Sequence, residues 1–269
     1  MWLGLMIGNS RLHWSWFVDK AIVCAWDTDY LPEAVIEQLA KSQTLEDLPP
    51  EIFLPIQRGR DIGTEKLITT TPEFPLPLYL ASVVPSETRL WQTYPNVQLI
   101  TLEQVPLEGM YPTLGIDRAL ALWGAGQNWS FPVLVIDAGT ALTFTGADSK
   151  RCLVGGAILP GFGLQFATLG GRTGQLPNVT LPQQLPKRYA LNTQEAIHSG
   201  VIYTIVAGVK DFIQAWWELF AEGNVVVTGG DRIFLLNYLQ YEAPDIAERL
   251  KIEANLVFLG MRQLSPFPK

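Results

Sequence analysis

The sequence predicts an α/β protein of two lobes, each built on a mixed sheet. Three observations predict it. Apolar strand-like runs alternate with helical spacings along the chain, and strand pairs are joined by tight turns. Two of these turns, Met6-Ile7-Gly8-Asn9-Ser10 and Asp137-Ala138-Gly139-Thr140, each end an apolar run and lie about half a chain apart. With 269 residues and 48% hydrophobic content the chain can bury a large core, and at roughly 100–200 residues per domain it has room for two. The boundary is expected at 114/115, with residues 1–114 carrying the first turn and residues 115–269 the second.

Trp2 to Ile7 is apolar throughout, and residues 12–18 alternate Leu12, Trp14 and Trp16 against His13, Ser15 and Phe17. They read as two strands with residues 8–11 as the hairpin tip. Residues 32–39 have helical spacing, whereas residues 44–77, rich in Pro, Glu, Asp and Thr, read as surface elements and loops. A strand over 78–84 ends at Pro85, a short helix follows over 87–92, and another strand over 97–102. Gly115 reads as a turn before an Ala- and Leu-rich helix over 119–124, with Asp117 in its first turn. Residues 133–136 form a fully apolar strand of the kind buried on both faces. The turn at 137–140 and a return strand over 142–146 then repeat the first hairpin. A strand over 154–158, a helix around 165–169 and helices over 193–205 and 209–220 follow. The strand over 224–227 ends in a third glycine-rich turn, Thr228-Gly229-Gly230-Asp231, and residues 256–261 close the chain.

Composition excludes several classes of function. The net charge is -7 and the basic residues are scattered, which argues against a nucleic-acid partner. Cys24 and Cys152 are too few for a disulfide framework and lack CxxC spacing, which fits a reducing, cytoplasmic location. Residues 119–136 and 153–171 carry no charge, but repeated glycines and prolines break them, so no membrane span is expected. No basic residue precedes Arg11, so the N-terminus does not read as a signal peptide. There is no GxxxxGK[ST], no GxGxxG at Rossmann spacing, and His13 and His198 form no HExxH pattern.

What remains is chemistry at the glycine turns. Glycine lets the backbone approach a phosphate, and the hydroxyls and N–H groups of such turns donate to phosphate oxygens. Asp117 reads either as a general base or as an acidic charge complementing its helix N-terminus. Asp137, at the end of a buried strand beside Gly139 and Thr140, suits a cation that neutralises phosphate charge, or simply initiates the turn. The Thr228-Gly229-Gly230 turn reads equally as a strand-ending loop or a nucleotide contact.

Two lobes that each turn a glycine hairpin toward a central cleft resemble the actin-like and sugar-kinase arrangement. In order along the chain, the motifs resemble those of type III pantothenate kinases. They are Gly8-Asn9-Ser10, Ala81-Ser82-Val83-Val84-Pro85, Gly115-Ile116-Asp117-Arg118 and Asp137-Ala138-Gly139-Thr140-Ala141. They continue with Gly155-Gly156-Ala157-Ile158-Leu159-Pro160-Gly161, Leu176-Pro177, Asn192-Thr193 with Ala196-Ile197 and Ser199-Gly200, and Thr228-Gly229-Gly230. The resemblance implies two ribonuclease-H-like lobes and ATP-dependent phosphorylation of pantothenate, the first step of coenzyme A biosynthesis. It also implies ATP with Mg²⁺, a monovalent cation (K⁺ or NH₄⁺), and a homodimer with substrate near the subunit interface. Carried over by position, Asp117 accepts the hydroxyl proton, and Tyr111, Gly115, Ile116, Asp117, Arg118 and Thr193 line the pantothenate site. Met6, Ile7, Gly8, Asn9, Ser10, Arg11, Leu12 and His13 form the first phosphate loop, Thr140 contacts ATP, and Asp137 holds the monovalent cation.

The sequence departs from this family at two points. Met6 stands where most relatives have aspartate, and Thr145 where many have an acid. A thioether cannot replace a carboxylate toward Mg²⁺ or its waters. The sequence therefore leaves three readings open. One is a working kinase whose Mg²⁺ is held mainly by phosphates and water; the others are a degenerate nucleotide- or pantothenate-binding regulatory module and a related kinase acting on another small alcohol.

Overall fold

A computed structural model describes residues 1–57 and 72–264. The chain divides into two compact units, one of Met1–Pro106, Tyr111–Gly124 and Val257–Lys269, the other of Leu107–Met110 and Ala125–Leu256.

The first unit is built on β1 (Trp2–Ile7), β2 (Leu12–Val18), β3 (Ala21–Thr28), β4 (Leu78–Ser82) and β5 (Val97–Leu99), in sheet order β3-β2-β1-β4-β5. β1 pairs antiparallel with β2 and parallel with β4. The two hairpins have short tips; the one between β2 and β3 turns at Asp19, whose φ of 53 a short polar residue tolerates. Parallel pairing needs longer connections, and the helices α1 (Glu33–Lys41) and α2 (Pro50–Gln57) lie in the chain between β3 and β4, with α3 (Pro85–Trp91) between β4 and β5. Leu3, Leu5 and Ile7 from β1 join Leu12, Trp14 and Trp16 from β2 in one core cluster with Trp91 and Tyr94. The N-terminal tryptophans are thus core residues.

The second unit repeats this topology. β6 (Val133–Ala138), β7 (Ala141–Ala147), β8 (Leu153–Pro160), β9 (Asn224–Thr228) and β10 (Lys251–Ile252) lie in the order β10-β9-β6-β7-β8. β6 pairs antiparallel with β7 and parallel with β9, as β1 does with β2 and β4. Its helices are α5 (Phe162–Arg172), α6 (Thr193–Leu219), α7 (Arg232–Glu242) and α8 (Pro244–Ala247). Among the described residues, α6 alone is long and apolar enough to cross a membrane by length and composition. It instead buries Ile202, Ile205, Val209, Ile213 and Trp216 in this unit's core with Ile136, Phe144 and Val227.

Several expectations are revised. Residues 115–124 and, among the described residues, 257–264, expected with the second lobe, belong to the first unit. The physical reason is close helix packing: the chain leaves the first unit within α4 (Ile116–Trp129) and re-enters through α9 (Leu256–Met261), where a Cβ on Gly260 would strike the Leu120 backbone. The helix expected over 119–124 therefore runs further at both ends. Gly126 sits inside it because the Phe131 ring occupies the space of a Cβ. The two helices expected over 193–220 are one, since buried Val206 and Val209 continue the apolar stripe across the assumed break. Of the loop region expected over 44–77, residues 58–71 lie outside the described residues, and the described part holds α2.

Gly260→Ala should lower stability by about 1–3 kcal/mol in urea unfolding, the usual range for overpacking. An unchanged midpoint would contradict the α4–α9 contact.

Candidate active site

In the first unit, the tip between β1 and β2 is closed by the Gly8 N–H, which donates to the Arg11 carbonyl at 3.1 Å. The Tyr30 hydroxyl donates to the Gly8 carbonyl at 2.6 Å and fixes the turn from outside. Where β4 ends, the Val83 N–H donates to the Ile7 carbonyl at 3.1 Å, so the Ala81-Ser82-Val83-Val84-Pro85 segment supports the same turn. Met6, Ile7 and Leu12 are buried, and their side chains are unavailable to a ligand. Asn9, Ser10 and Arg11 are exposed, while Gly8 and His13 are half-buried.

His13 Nδ1 lies 2.7 Å from Asp27 Oδ1, and Arg11 Nη1 lies 3.4 Å from Asp27 Oδ2. Burial alone would raise the Asp27 carboxyl, but the hydrogen bond and charge of His13, with those of Arg11, outweigh it and hold the group below its ordinary value.

Asp117 lies in the first turn of α4 and accepts the Arg118 backbone N–H at 2.8 Å. Its carboxylate folds back over residue 115, where any Cβ would clash with Oδ1; this is why Gly115 precedes it. Burial pushes the Asp117 carboxyl above its ordinary value of 3.8, against the opposing pull of the Arg118 N–H and guanidinium, its own N–H and His13. Arg118 is buried, and its Nη1 donates to the Tyr111 hydroxyl at 3.1 Å. Ile116 is buried beside them in sequence. The first unit thus holds the first turn, Tyr111 and Gly115 to Arg118 together.

The second unit holds Asp137, Thr140 and Thr193. Asp137 is the penultimate residue of β6, opposite Thr143 on β7 and Thr228 on β9. Three glycines crowd this strand end. The Gly139 N–H donates to the Ala141 carbonyl at 3.2 Å, and the Gly161 N–H donates to the Thr140 carbonyl at 2.9 Å. A Cβ on Gly161 would strike the Gly139 carbonyl, and one on Gly229, at φ 92, would strike Asp137 Oδ1 and Ala138. Asp231 ties the third turn down by donating its N–H to the Ala138 carbonyl at 2.8 Å. Burial raises its carboxyl.

Thr193 stands elsewhere in this unit. It opens α6, is exposed, and lines a groove of ≈ 370 Å³ with Gln165, Leu169 and Leu176. His198 bonds the Thr180 carbonyl through Nε2 at 2.9 Å, an ordinary structural role.

Sequence reading missed Asp27 and Tyr30, and with them the polar surroundings of the first turn. Only the β2–β3 register, which sets His13 against Asp27, could have revealed the first of these. Gly161 and Gly229 were visible as turn glycines, but the packing of Gly161 on Gly139 and of Gly229 on Asp137 was not.

The family model for type III pantothenate kinase matches residues 65–215. The type III pantothenate kinase of Nostoc sp. (strain PCC 7120 / SAG 25.82 / UTEX 2576) is 57% identical over 265 residues, covering 98% of this chain and 94% of that relative. That of Synechocystis sp. (strain ATCC 27184 / PCC 6803 / Kazusa) is 42% identical over 262 residues, covering 97% and 88%. Among solved structures, a conserved Baf family protein from Campylobacter jejuni superposes with a TM-score of 0.59 at 20% identity, covering 97% of this chain and 96% of that one. The activator of 2-hydroxyisocaproyl-CoA dehydratase from Clostridium difficile, with bound ADPNP, gives 0.51 at 11% identity, covering 96% and 91%. These structures share the fold of this chain.

The raised Asp117 carboxyl has a consequence for stability. The folded state binds this proton more tightly than the unfolded chain, so the stability contribution is greatest at low pH and falls as pH rises through the folded value. Asp117→Asn should therefore melt at a higher temperature than wild type at neutral pH, with the gap closing on acidification. A lower melting temperature for the variant would contradict the burial described.

Proposed function

The chain belongs to the type III pantothenate kinase family, and from that premise we propose how its residues carry out the ATP-dependent phosphorylation of pantothenate, the first step of coenzyme A biosynthesis. Asp117 is the general base. It takes the proton of the primary hydroxyl as that oxygen bonds to the γ-phosphorus, and ADP leaves with the electrons of the broken P–O bond. The observation that carries this role is the carboxylate folded over Gly115, held by the Arg118 N–H at 2.8 Å and raised above its ordinary value by burial. A pure binding module has no use for such a base. Arg118 and Tyr111, joined at 3.1 Å, present a cation and a hydroxyl to the polar groups of pantothenate, beside Gly115 and Ile116.

The first turn binds phosphate through its backbone and through Asn9, Ser10, Arg11 and His13, because Met6, Ile7 and Leu12 have buried side chains. Among the described residues no group of three or more His, Cys, Asp or Glu side chains could hold a metal ion. This donor set fits Mg²⁺ that arrives on ATP and keeps most of its waters. Gly229 lets the third turn pack directly against the Asp137 carboxylate at the end of β6, and this placement beside the Gly139 turn suits Asp137 to a monovalent cation and Thr140 to ATP. When bound, such a cation offsets phosphate charge.

The enzyme is cytoplasmic and a homodimer, with the groove at Thr193 covered by the second copy. Support comes from exposed Leu164 and Leu191, sequence neighbours of groove-lining Gln165 and Thr193.

ADP formation should require pantothenate together with ATP and Mg²⁺, and Asp117→Asn should lower kcat by ~10²–10⁴-fold. No turnover of pantothenate by the wild type, or an unchanged rate in the variant, would overturn these roles. Turnover should also be faster in potassium than in sodium buffer, a difference that Asp137→Ala should abolish.

A further inference from the structure

A row of paired residues crosses the first sheet at the turn. Asp27 on β3 opposes His13 on β2, His13 opposes Met6 on β1, and Met6 opposes Ala81 on β4. Residues directly opposed on neighbouring strands point to the same face, with Cβ atoms about 4.5–5.5 Å apart. Met6 is 3% exposed and offers His13 no acceptor, so Asp27 is the carboxylate of this row.

The orientation of the imidazole follows from that pairing. Asp27 is held ionised and can only accept, so the proton of the 2.7 Å contact sits on His13 Nδ1. The other ring nitrogen points into the turn, since a Cβ built on Gly8 would lie 3.2 Å from Nε2. Three charged groups surround the ring: Asp27 from β3, Arg11 from the tip through Asp27, and Asp117 from α4, whose carboxyl feels the charge of His13. The pair is half-exposed, with side-chain exposures of 40% and 46%, and such a pair adds little to fold stability. Stability alone does not explain it.

We propose that Asp27 is a positioning residue for nucleotide binding, which holds His13 with Nε2 over Gly8 so that, with nucleotide bound, the Nε2–H donates to a phosphate oxygen. This rests on the phosphate role given to the first turn in the family reaction.

The test is a double-mutant cycle on the full chain, with the affinity for β,γ-imido-ATP measured by calorimetry and folding checked by melting temperature. Asp27→Ala and His13→Ala should each weaken binding about tenfold, the usual scale for a hydrogen bond to a charged group. The double variant should be no weaker than His13→Ala, because Asp27 acts through the ring. Asp27→Asn keeps an acceptor for Nδ1–H and should retain most of the affinity. In turnover, Asp27→Ala should raise KM for ATP while kcat changes little. Unchanged affinity in Asp27→Ala, or losses that simply add in the double variant, would overturn the proposal. Calorimetry does not depend on the alcohol. A wild type that binds the analogue and shows the coupling but leaves pantothenate unphosphorylated would refute the family reaction and sustain the role of Asp27.

Discussion

Each unit is organised by one strand with hydrogen-bonded neighbours on both sides and apolar packing on both faces. All six residues of β1 are buried, as are Val133 to Ile136 of β6. Such a strand has no room for ligand chemistry along its length. Polar groups can appear only where it leaves the sheet, and both strands leave it through a glycine turn, at Gly8 and at Gly139. The placement of Gly8 to Arg11, Asp137 and Thr140 follows from this constraint.

The duplicated topology also explains the inequality of the two turns. Met6 and Asp137 are each the penultimate residue of the central strand. Asp137 has Thr143 and Thr228 beside it, with glycines closing around its carboxylate. Met6 lies between His13 and Ala81 and is buried. The first turn therefore has no carboxylate at this position of its central strand, while Asp27, two strands out, is joined to the turn through His13. A buried thioether satisfies the apolar packing of β1 without a charge that would need solvation or a partner.

Much of this was legible in the sequence because the central strands are uninterrupted apolar runs and their turns are short. The tips at residues 8–11 and around Gly139 lie where the pattern put them. β3 escaped because it is an edge strand with alternating exposed positions and a charged Asp27, so its apolar signal is weak. The assignment of Gly115 to Arg118 to the first unit was hidden for another reason. It depends on α9, some 140 residues later in the chain, packing against α4 through Gly260, a long-range contact that no local pattern encodes. For the same reason the sequence presented Asp117 ambiguously, as base or helix-end charge. Its fold-back over Gly115, its burial and its company of Arg118 and Tyr111 support the proposed role as base.

The central claim is that Asp117 must be ionised to accept the substrate's proton, and the pH dependence of kcat/KM for pantothenate tests it most directly. Activity should fall as pH drops through an acid limb above the ordinary carboxylate value of 3.8, and the residual activity of Asp117→Asn should lack that limb. The same limb in wild type and variant would contradict the account.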